Sequence, residues 1–270
     1  MTMSTTVPRH EIRRVSHELA FRRLQVLSTS FVTPLMKRVT VGGPELAGFS
    51  SASPDDHVKL FFPLPGRETV QPALPTRTEQ GLVFPAGQAL SSARDYTPLR
   101  YDAKALTLDL EFVLHGDGPA STWGQQAAPG QWLALGGPRG SRVVPDDFDN
   151  YVIVGDETAL PAIGAWLERL PAQARVIALI EIADDAERQA LPSPAQVERR
   201  WLPRNGRAPG GEALLDALKA LAFPPGDTFV WVATEAGLLR LVRHHLIGER
   251  GHDEAWMKAS GYWKQDGAQA

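Results

Sequence analysis

YVIVGDETALPAIGAWLERL, running from Tyr151 to Leu170, is the stretch that decides the fold. Tyr151–Val154 is a short apolar run, and Gly155-Asp156-Glu157-Thr158 is a turn. Leu160, Ile163 and Leu167 then recur at helical spacing over Glu157–Leu170. A strand that passes directly into an amphipathic helix opens a strand–helix–strand unit. The alternation continues with strands predicted at Arg175–Ile182, Val197–Leu202 and Thr228–Ala233, and helices at Glu212–Leu221 and Ala236–Gly248. This pattern predicts a parallel sheet with helices on its faces.

Upstream of about residue 145 the pattern is different. Leu106, Leu108, Leu110, Phe112 and Leu114 alternate with Thr107, Asp109, Glu111 and Val113, the period of a strand with one buried face. Further strands are predicted at Leu19–Ser28, Met36–Gly42, His57–Phe62, Arg94–Asp102 and Gln131–Leu135, separated by Gly- and Pro-rich turns. Six short strands with little helix predict a small antiparallel barrel. Gly66–Ser92 reads as a long excursion on it, and Asp146–Asn150 as the junction between the halves. The expected organisation is a loose tail over 1–14, a barrel domain over 15–145, and an α/β domain over 146–270 with a C-terminal helical segment.

The formal net charge of −3 gives no global positive field to attract nucleic acid. No stretch is apolar enough to span a bilayer, and Met1–Arg14 lacks the apolar core of a signal peptide. The chain has no cysteine, which excludes disulfides, thiolate metal ligands and thiol nucleophiles and suits a reducing cytoplasm.

The open edge of a parallel sheet binds ligands at the carboxyl ends of its strands, so Gly155–Thr158 is where a ligand is expected. The turn carries neither the GxGxxG nor the GxxxxGK[ST] pattern. One glycine and a helix N-terminus hold an anion, or equally form a plain capped helix start with Asp156 or Thr158 as the cap. There is no GxSxG and no HExxH. His244 and His245 are adjacent on a helix, point to different faces, and read as solvated or helix-end residues. In the barrel half, Arg94-Asp95-Tyr96-Thr97 puts an arginine and an aromatic on one strand face, suited to a phosphate and a flat ring or to a simple surface ion pair. His115-Gly116-Asp117-Gly118-Pro119-Ala120-Ser121-Thr122-Trp123 leads from a strand into a short helix whose free N–H groups suit a pyrophosphate, or forms an ordinary Gly-Pro turn.

These segments resemble those of the siderophore-interacting proteins, FAD-dependent ferric-siderophore reductases of the ferredoxin-reductase superfamily. The matching stretches run in order along nearly the whole chain: Thr33–Val39, His57–Leu60, Arg94–Thr97, Phe112–Gly116, Gly118–Ser121, Gly137–Ser141, Gly155–Ala162 and Gly261–Trp263. The resemblance implies non-covalent FAD between the two domains. Arg94 would lie on its pyrophosphate, Tyr96 and Thr97 near its ring, and Val113, His115, Gly118, Pro119, Ala120, Ser121 and Trp123 would complete the cradle. It implies NADPH or NADH at Gly155, Asp156, Glu157, Thr158, Ala159 and Glu235. Here Ala233-Thr234-Glu235 stands where the family usually has Ala-Gly-Glu, and the threonine is expected to crowd the nucleotide.

Lys59, Arg139 and Lys264 match basic positions that would hold an anionic ferric siderophore. The siderophore supplies the iron ligands, so no protein metal site and no general acid or base is expected. The implied activity is hydride transfer to FAD followed by single-electron transfer to ferric iron, in a cytoplasmic monomer. The alternatives are a non-catalytic flavin or ferric-chelate binder, and a reductase fed by a ferredoxin.

Overall fold

The structure is a computed structural model and describes residues 9–79, 81–83, 93–116 and 118–265. Two compact units share these residues: Val15–Ser141 forms one, and residues 9–14 with 142–265 form the other.

The strands of the first part of the chain are β1 (Arg13–Ser16), β2 (Phe21–Thr33), β3 (Met36–Gly42), β4 (Val58–Phe61), β5 (Thr76–Thr78), β6 (Gly81–Val83), β7 (Arg94–Tyr96), β8 (Arg100–Asp102), β9 (Thr107–Val113), β10 (Trp132–Gly136) and β11 (Gly140–Val143). One helix, α1 (Pro119–Gln126), lies between β9 and β10. Seven of the strands form one antiparallel sheet in the order β7-β4-β10-β2-β3-β9-β8. The two edge strands, β7 and β8, are joined by only three residues, so the sheet must curl until its edges approach, which makes the barrel. The sheet has seven strands where six were expected. Arg94–Asp102 does not run as one strand, because Pro98 has no N–H to donate and the chain turns there from one edge to the other. β5 and β6 form a hairpin within the Gly66–Ser92 excursion, and residues 80 and 84–92 of that stretch lie outside the described residues.

The alternation in β9 holds. Leu108, Leu110 and Phe112 are fully buried and join Leu24, Val39, Val41, Leu60, Leu133 and Leu135 inside the barrel. Leu106 is not part of the strand; it sits in the preceding turn at φ 51°. On the outer face Glu111 is also buried, because the Arg38 guanidinium covers it at 2.5 Å.

The second unit contains β12 (Asn150–Gly155), α2 (Leu160–Arg169), β13 (Arg175–Ile182), β14 (Gln196–Pro203), α3 (Glu212–Ala220), β15 (Thr228–Glu235), α4 (Ala236–Arg243) and β16 (Met257–Trp263). Its five strands are parallel, in the order β14-β13-β12-β15-β16. All six residues of β12 are buried, as expected for a central strand covered on both faces. Val152 and Val154 pack with Leu214 and Leu218 of α3 and Leu238 and Val242 of α4. On the other face Trp166 of α2 meets Tyr151, Phe229 and Trp231. Gly155 is required at the end of β12: a Cβ there would lie 2.7 Å from that of Ala159 and 3.0 Å from the Ala233 carbonyl. No helix among the described residues is long and apolar enough to cross a membrane.

Three expectations are corrected. The helical segment expected to close the chain is followed by a strand, β16, whose residues Met257-Lys258-Ala259-Ser260-Gly261 show no alternation and gain their order from the ladder to β15. His245 is a helix-end residue but not a solvated one. It is buried, with Nδ1 2.6 Å from Glu249 and Nε2 accepting from Arg250 at 2.8 Å. Residues 9–14 are not a loose tail. His10 is buried, stacked on Phe148 at 3.8 Å and edge-on to Trp256. Its Nδ1 lies 2.7 Å from Asp147 and its Nε2 3.0 Å from Asp227, while Arg9 pairs with Asp227 at 3.2 Å.

A carboxylate only accepts, so two carboxylates on one ring require both nitrogens to be protonated, and His10 is an imidazolium. Burial lowers the His10 pKa, but the bonds to Asp227 and Asp147 outweigh it and leave the pKa raised. Asp147 is held below the usual range because His10 outweighs the opposing effect of burial. The His10 contribution to stability is therefore complete below the ordinary histidine pKa and fades as pH rises through the raised folded value. His10→Gln should accordingly unfold at a lower temperature than the wild type at pH 6, and the gap should narrow by pH 9. A gap in Tm that is constant or widens towards pH 9 would contradict a charged latch.

Candidate functional site

In the barrel unit, the aromatic core brings the two sequence segments together. The Tyr96 ring of β7 lies 4.6 Å from Phe112 and 6.3 Å from Phe62. Trp123 of α1 lies 5.3 Å from Phe112 and 5.4 Å from Phe62. Gly124 lets the helix approach this closely, since a Cβ there would fall 2.8 Å from that of Phe112. Arg94-Asp95-Tyr96 and α1 thus rest on one platform made by β9 and the end of β4.

Several donors around this platform are unspent. Burial pushes the Tyr96 phenol well above its ordinary pKa, with the Arg94 charge opposing, so it stays a neutral hydroxyl. The Trp123 indole N–H is buried without a partner among the described residues. Among the described residues no side chain caps the N-terminus of α1, which starts at Gly118-Pro119. Pro119 at the first turn donates nothing there, and no Cβ would meet an obstacle at Gly116 or Gly118. Thr97 is buried next to the strand end. Ser121 is committed differently from the expectation. It is buried, and its Oγ accepts the His115 backbone N–H at 2.8 Å, fastening the loop to the helix. The His115 side chain is exposed, and Val113 ends β9 half-buried. Asp117 lies outside the described residues.

The expected cations are not equivalent. Lys59 faces Asp95 across the β4–β7 ladder and pairs with it at 2.8 Å, both side chains about half exposed. The Asp95 of the Arg-Asp-Tyr segment therefore spends part of the Lys59 charge. Arg139 is exposed and lines a cleft of about 580 Å³ with His17, Glu18, Leu19 and the Gly81-Leu82 edge of the hairpin. The buried Arg22 donates to the Gly137 carbonyl at 3.2 Å and so fixes the turn that presents Arg139. Lys59 stands opposite Gly136, at the end of the strand that leads into this turn. Lys264, in the other unit, is exposed just beyond β16.

In the α/β unit the sheet order reverses beside β12, the place where such sheets bind ligands. Asp156 is buried there and accepts four hydrogen bonds. Its Oδ1 takes Thr158 N–H at 2.9 Å and Thr158 Oγ1 at 2.5 Å. Its Oδ2 takes Trp263 Nε1 at 2.8 Å and Thr234 Oγ1 at 3.2 Å. Burial raises the Asp156 pKa, with the bonds from Thr158 and Trp263 opposing. The cap of the first turn is thus Asp156. Thr234 does not crowd the edge: its side chain is buried and turned onto Asp156. Glu235 caps α4: its Oε2 accepts from Gly237 N–H and Leu238 N–H.

Glu157 is paired with Arg204, a residue with no role in the sequence reading. One Arg204 nitrogen lies 2.7 Å from Glu157 Oε2 and 3.3 Å from the buried Glu181, and the other contacts Glu157 Oε1. Burial raises the Glu181 pKa against the pull of Arg204, and Glu157 raises that of Arg204. Glu181 and Arg204 were missed because only the side-by-side placement of β13 and β14 brings them to the turn.

An antiparallel barrel followed by a five-stranded parallel sheet with its edge open at the first turn is the ferredoxin-reductase architecture. A ferredoxin NADP+ reductase from Neisseria gonorrhoeae shares this fold at TM-score 0.59 and 14% identity, over 90% of this chain and 99% of that one. Residues 25–142 match the siderophore-interacting FAD-binding domain, and residues 148–266 match the siderophore-interacting protein model. The chain is 36% identical to an NADPH-dependent ferric-chelate reductase of Escherichia coli, over 93% of its own length and 96% of that protein's. A siderophore utilization protein from T. fusca has a crystal structure similar at TM-score 0.87 and 40% identity, covering 96% of this chain and 98% of that one. The chain belongs to the siderophore-interacting protein family. It is an oxidoreductase whose barrel is an FAD-binding domain.

Each Asp156 oxygen meets an N–H that can only donate, from Thr158 on one side and Trp263 on the other. An amide would turn its own NH2 against one of them. Asp156→Ala should cost roughly 2–4 kcal/mol, and Asp156→Asn should not recover it. Urea unfolding of both variants checks this; an asparagine variant as stable as the wild type would show that the carboxylate is not needed.

Proposed function

We propose that the chain is a ferric-siderophore reductase that takes electrons from a reduced nicotinamide nucleotide through FAD and releases iron as Fe(II). The observation that supports this best is the shared Phe62–Phe112 platform. It gathers Tyr96, Trp123 and the helix α1, whose N-terminus no side chain among the described residues caps, a set of donors and flat faces that fits a hydroxyl-rich, diphosphate-bearing aromatic cofactor. Bound FAD supplies the change from a two-electron hydride donor to two single-electron steps onto two ferric ions.

The residues do the rest. Arg94 holds the diphosphate with a charge-assisted hydrogen bond, aided by the first-turn N–H groups of Ala120 and Ser121. Tyr96 offers a ring face and an un-ionised hydroxyl, and Thr97 borders the ring edge. The turn Gly155–Ala159 receives the nicotinamide nucleotide, with Asp156 locked in place beneath it. Arg139 attracts the anionic chelate without touching the iron, Lys59 adds weaker attraction, and Lys264 is an exposed charge of the other unit. Hard oxygen chelators hold Fe(II) far less tightly than Fe(III), so electron transfer alone frees the metal and no acid–base residue is required. The same reading takes the protein as a monomer acting in the cytoplasm, supported by its cysteine-free composition.

The direct test is anaerobic stopped-flow reduction of the flavin by NADH and NADPH, followed by mixing with ferric siderophores and a ferrous trap. Reduction no faster than that of free FAD with both nucleotides would move the reading to a ferredoxin-fed reductase or a flavin binder. Arg94→Ala should weaken FAD binding about 10- to 150-fold, equivalent to roughly 1.5–3 kcal/mol, by flavin-fluorescence titration. Unchanged affinity would remove Arg94 from the diphosphate.

The Lys59–Asp95 pair separates the two barrel cations. Arg139→Ala should raise KM for an anionic ferric siderophore several-fold and Lys59→Ala less, with both effects reduced by salt and smaller for a cationic chelate. Flavin reduction by the nucleotide should be unchanged in both variants. Equal losses for anionic and cationic chelates would exclude an electrostatic role.

A further inference from the structure

Pockets that take NADP commonly offer an arginine to the 2′-phosphate of the adenosine ribose, while those that take NAD offer a carboxylate to the 2′-hydroxyl. Both residue types stand at the carboxyl edge of this sheet. Glu181 is the next-to-last residue of β13, and Arg204 directly follows β14. Here they are spent on one another. Glu157 grips the Arg204 guanidinium with both oxygens, and Glu181 holds it from within the sheet. The Arg204 side chain is 10% exposed, that of Glu157 18% and that of Glu181 3%, so a ligand meets Glu157 before it meets the guanidinium.

The charge balance points the same way. Two carboxylates face one guanidinium, and the buried Asp156 lies in the same turn as Glu157. Asp184 and Asp185 follow β13 after Ala183, and Asp185 is paired with Arg188 at 2.7 Å. Arg207, three residues beyond Arg204, is exposed, and its Nε donates back to the Arg204 carbonyl at 3.2 Å. A dianionic phosphate that approaches Arg204 must first displace Glu157 from its guanidinium.

We propose that Glu157 and Glu181, by occupying Arg204, set the nucleotide selectivity of this chain: they withhold its arginine from the 2′-phosphate, so that NADH binds at least as well as NADPH. The proposal rests on the reading that this unit binds a nicotinamide nucleotide. It differs from what the name of the E. coli relative says of that protein, which is NADPH-dependent.

The test uses the FAD-loaded full chain and two probes that differ only in the 2′-phosphate, adenosine 2′,5′-bisphosphate and 5′-AMP, by isothermal titration. The wild type should bind them with affinities within roughly threefold of each other. Glu157→Gln should raise the ratio of bisphosphate to 5′-AMP affinity about five- to tenfold, and the gain should vanish in Glu157→Gln, Arg204→Leu. A second measurement needs no variant: the wild-type rates of flavin reduction at sub-saturating NADH and NADPH should be comparable.

A wild type that binds the bisphosphate tenfold or more tightly, or a Glu157→Gln ratio equal to that of the wild type, overturns the proposal. Either result with rapid flavin reduction leaves the functional reading standing. Failure of both probes to bind, together with no flavin reduction by either nucleotide, overturns both.

Discussion

A carboxylate that has lost its water must find donors inside the protein, and the α/β unit is arranged around the one that does so at the end of its first strand. Asp156 takes hydrogen bonds from its own turn, from β15 and from β16. The last of these strands has no strong β signal of its own, and its Trp263 is oriented by this single bond. Gly155, which admits the helix to within contact of the strand, sets the turn that carries the carboxylate. The expected site at the sheet edge is therefore less an open cradle than a braced corner. Its floor is Asp156, and its rim is the Glu157–Arg204 pair.

The barrel reaches the same end by apolar means. Phe112 and Phe62 are fully buried, and each touches both Tyr96 and Trp123. Aromatic packing of this kind fixes ring orientation as well as removing area from water. Trp123 and Tyr96, which the family resemblance implies for the cofactor, are thus also packed in or against the core.

Much of the fold was legible because it is written in periodicity. The period of two in Leu108, Leu110 and Phe112 marks the barrel strand, and the helical spacing of Leu160, Ile163 and Leu167 marks α2. What escaped has no period. Pro98 splits one expected strand into the two edges of the sheet, and β16 is ordered by its neighbour rather than by its residues. At the candidate site the motif residues were legible one by one, but their commitments were not. Thr234, in place of glycine, looked like an obstruction until its hydroxyl was found on Asp156. The cap that Glu235 forms on α4 has no signature in the sequence. Lys59 looked free until the ladder placed Asp95 beside it. Glu181 and Arg204 carry no motif and meet only through the parallel register of β13 and β14.

The latch at His10 has a consequence for the order in which the molecule is made. The α/β unit uses residues from 9–14 and again from 142 onward, so the barrel is an insertion within it along the chain. A ribosome delivers the barrel complete while the outer unit still lacks every strand of its sheet. The amino-terminal segment carrying His10 must wait for Asp147 and then Asp227, and Asp156 must wait for Trp263. Residues 9–14 and β16 thus both close the same unit, the second seating its indole on a carboxylate synthesised more than a hundred residues earlier.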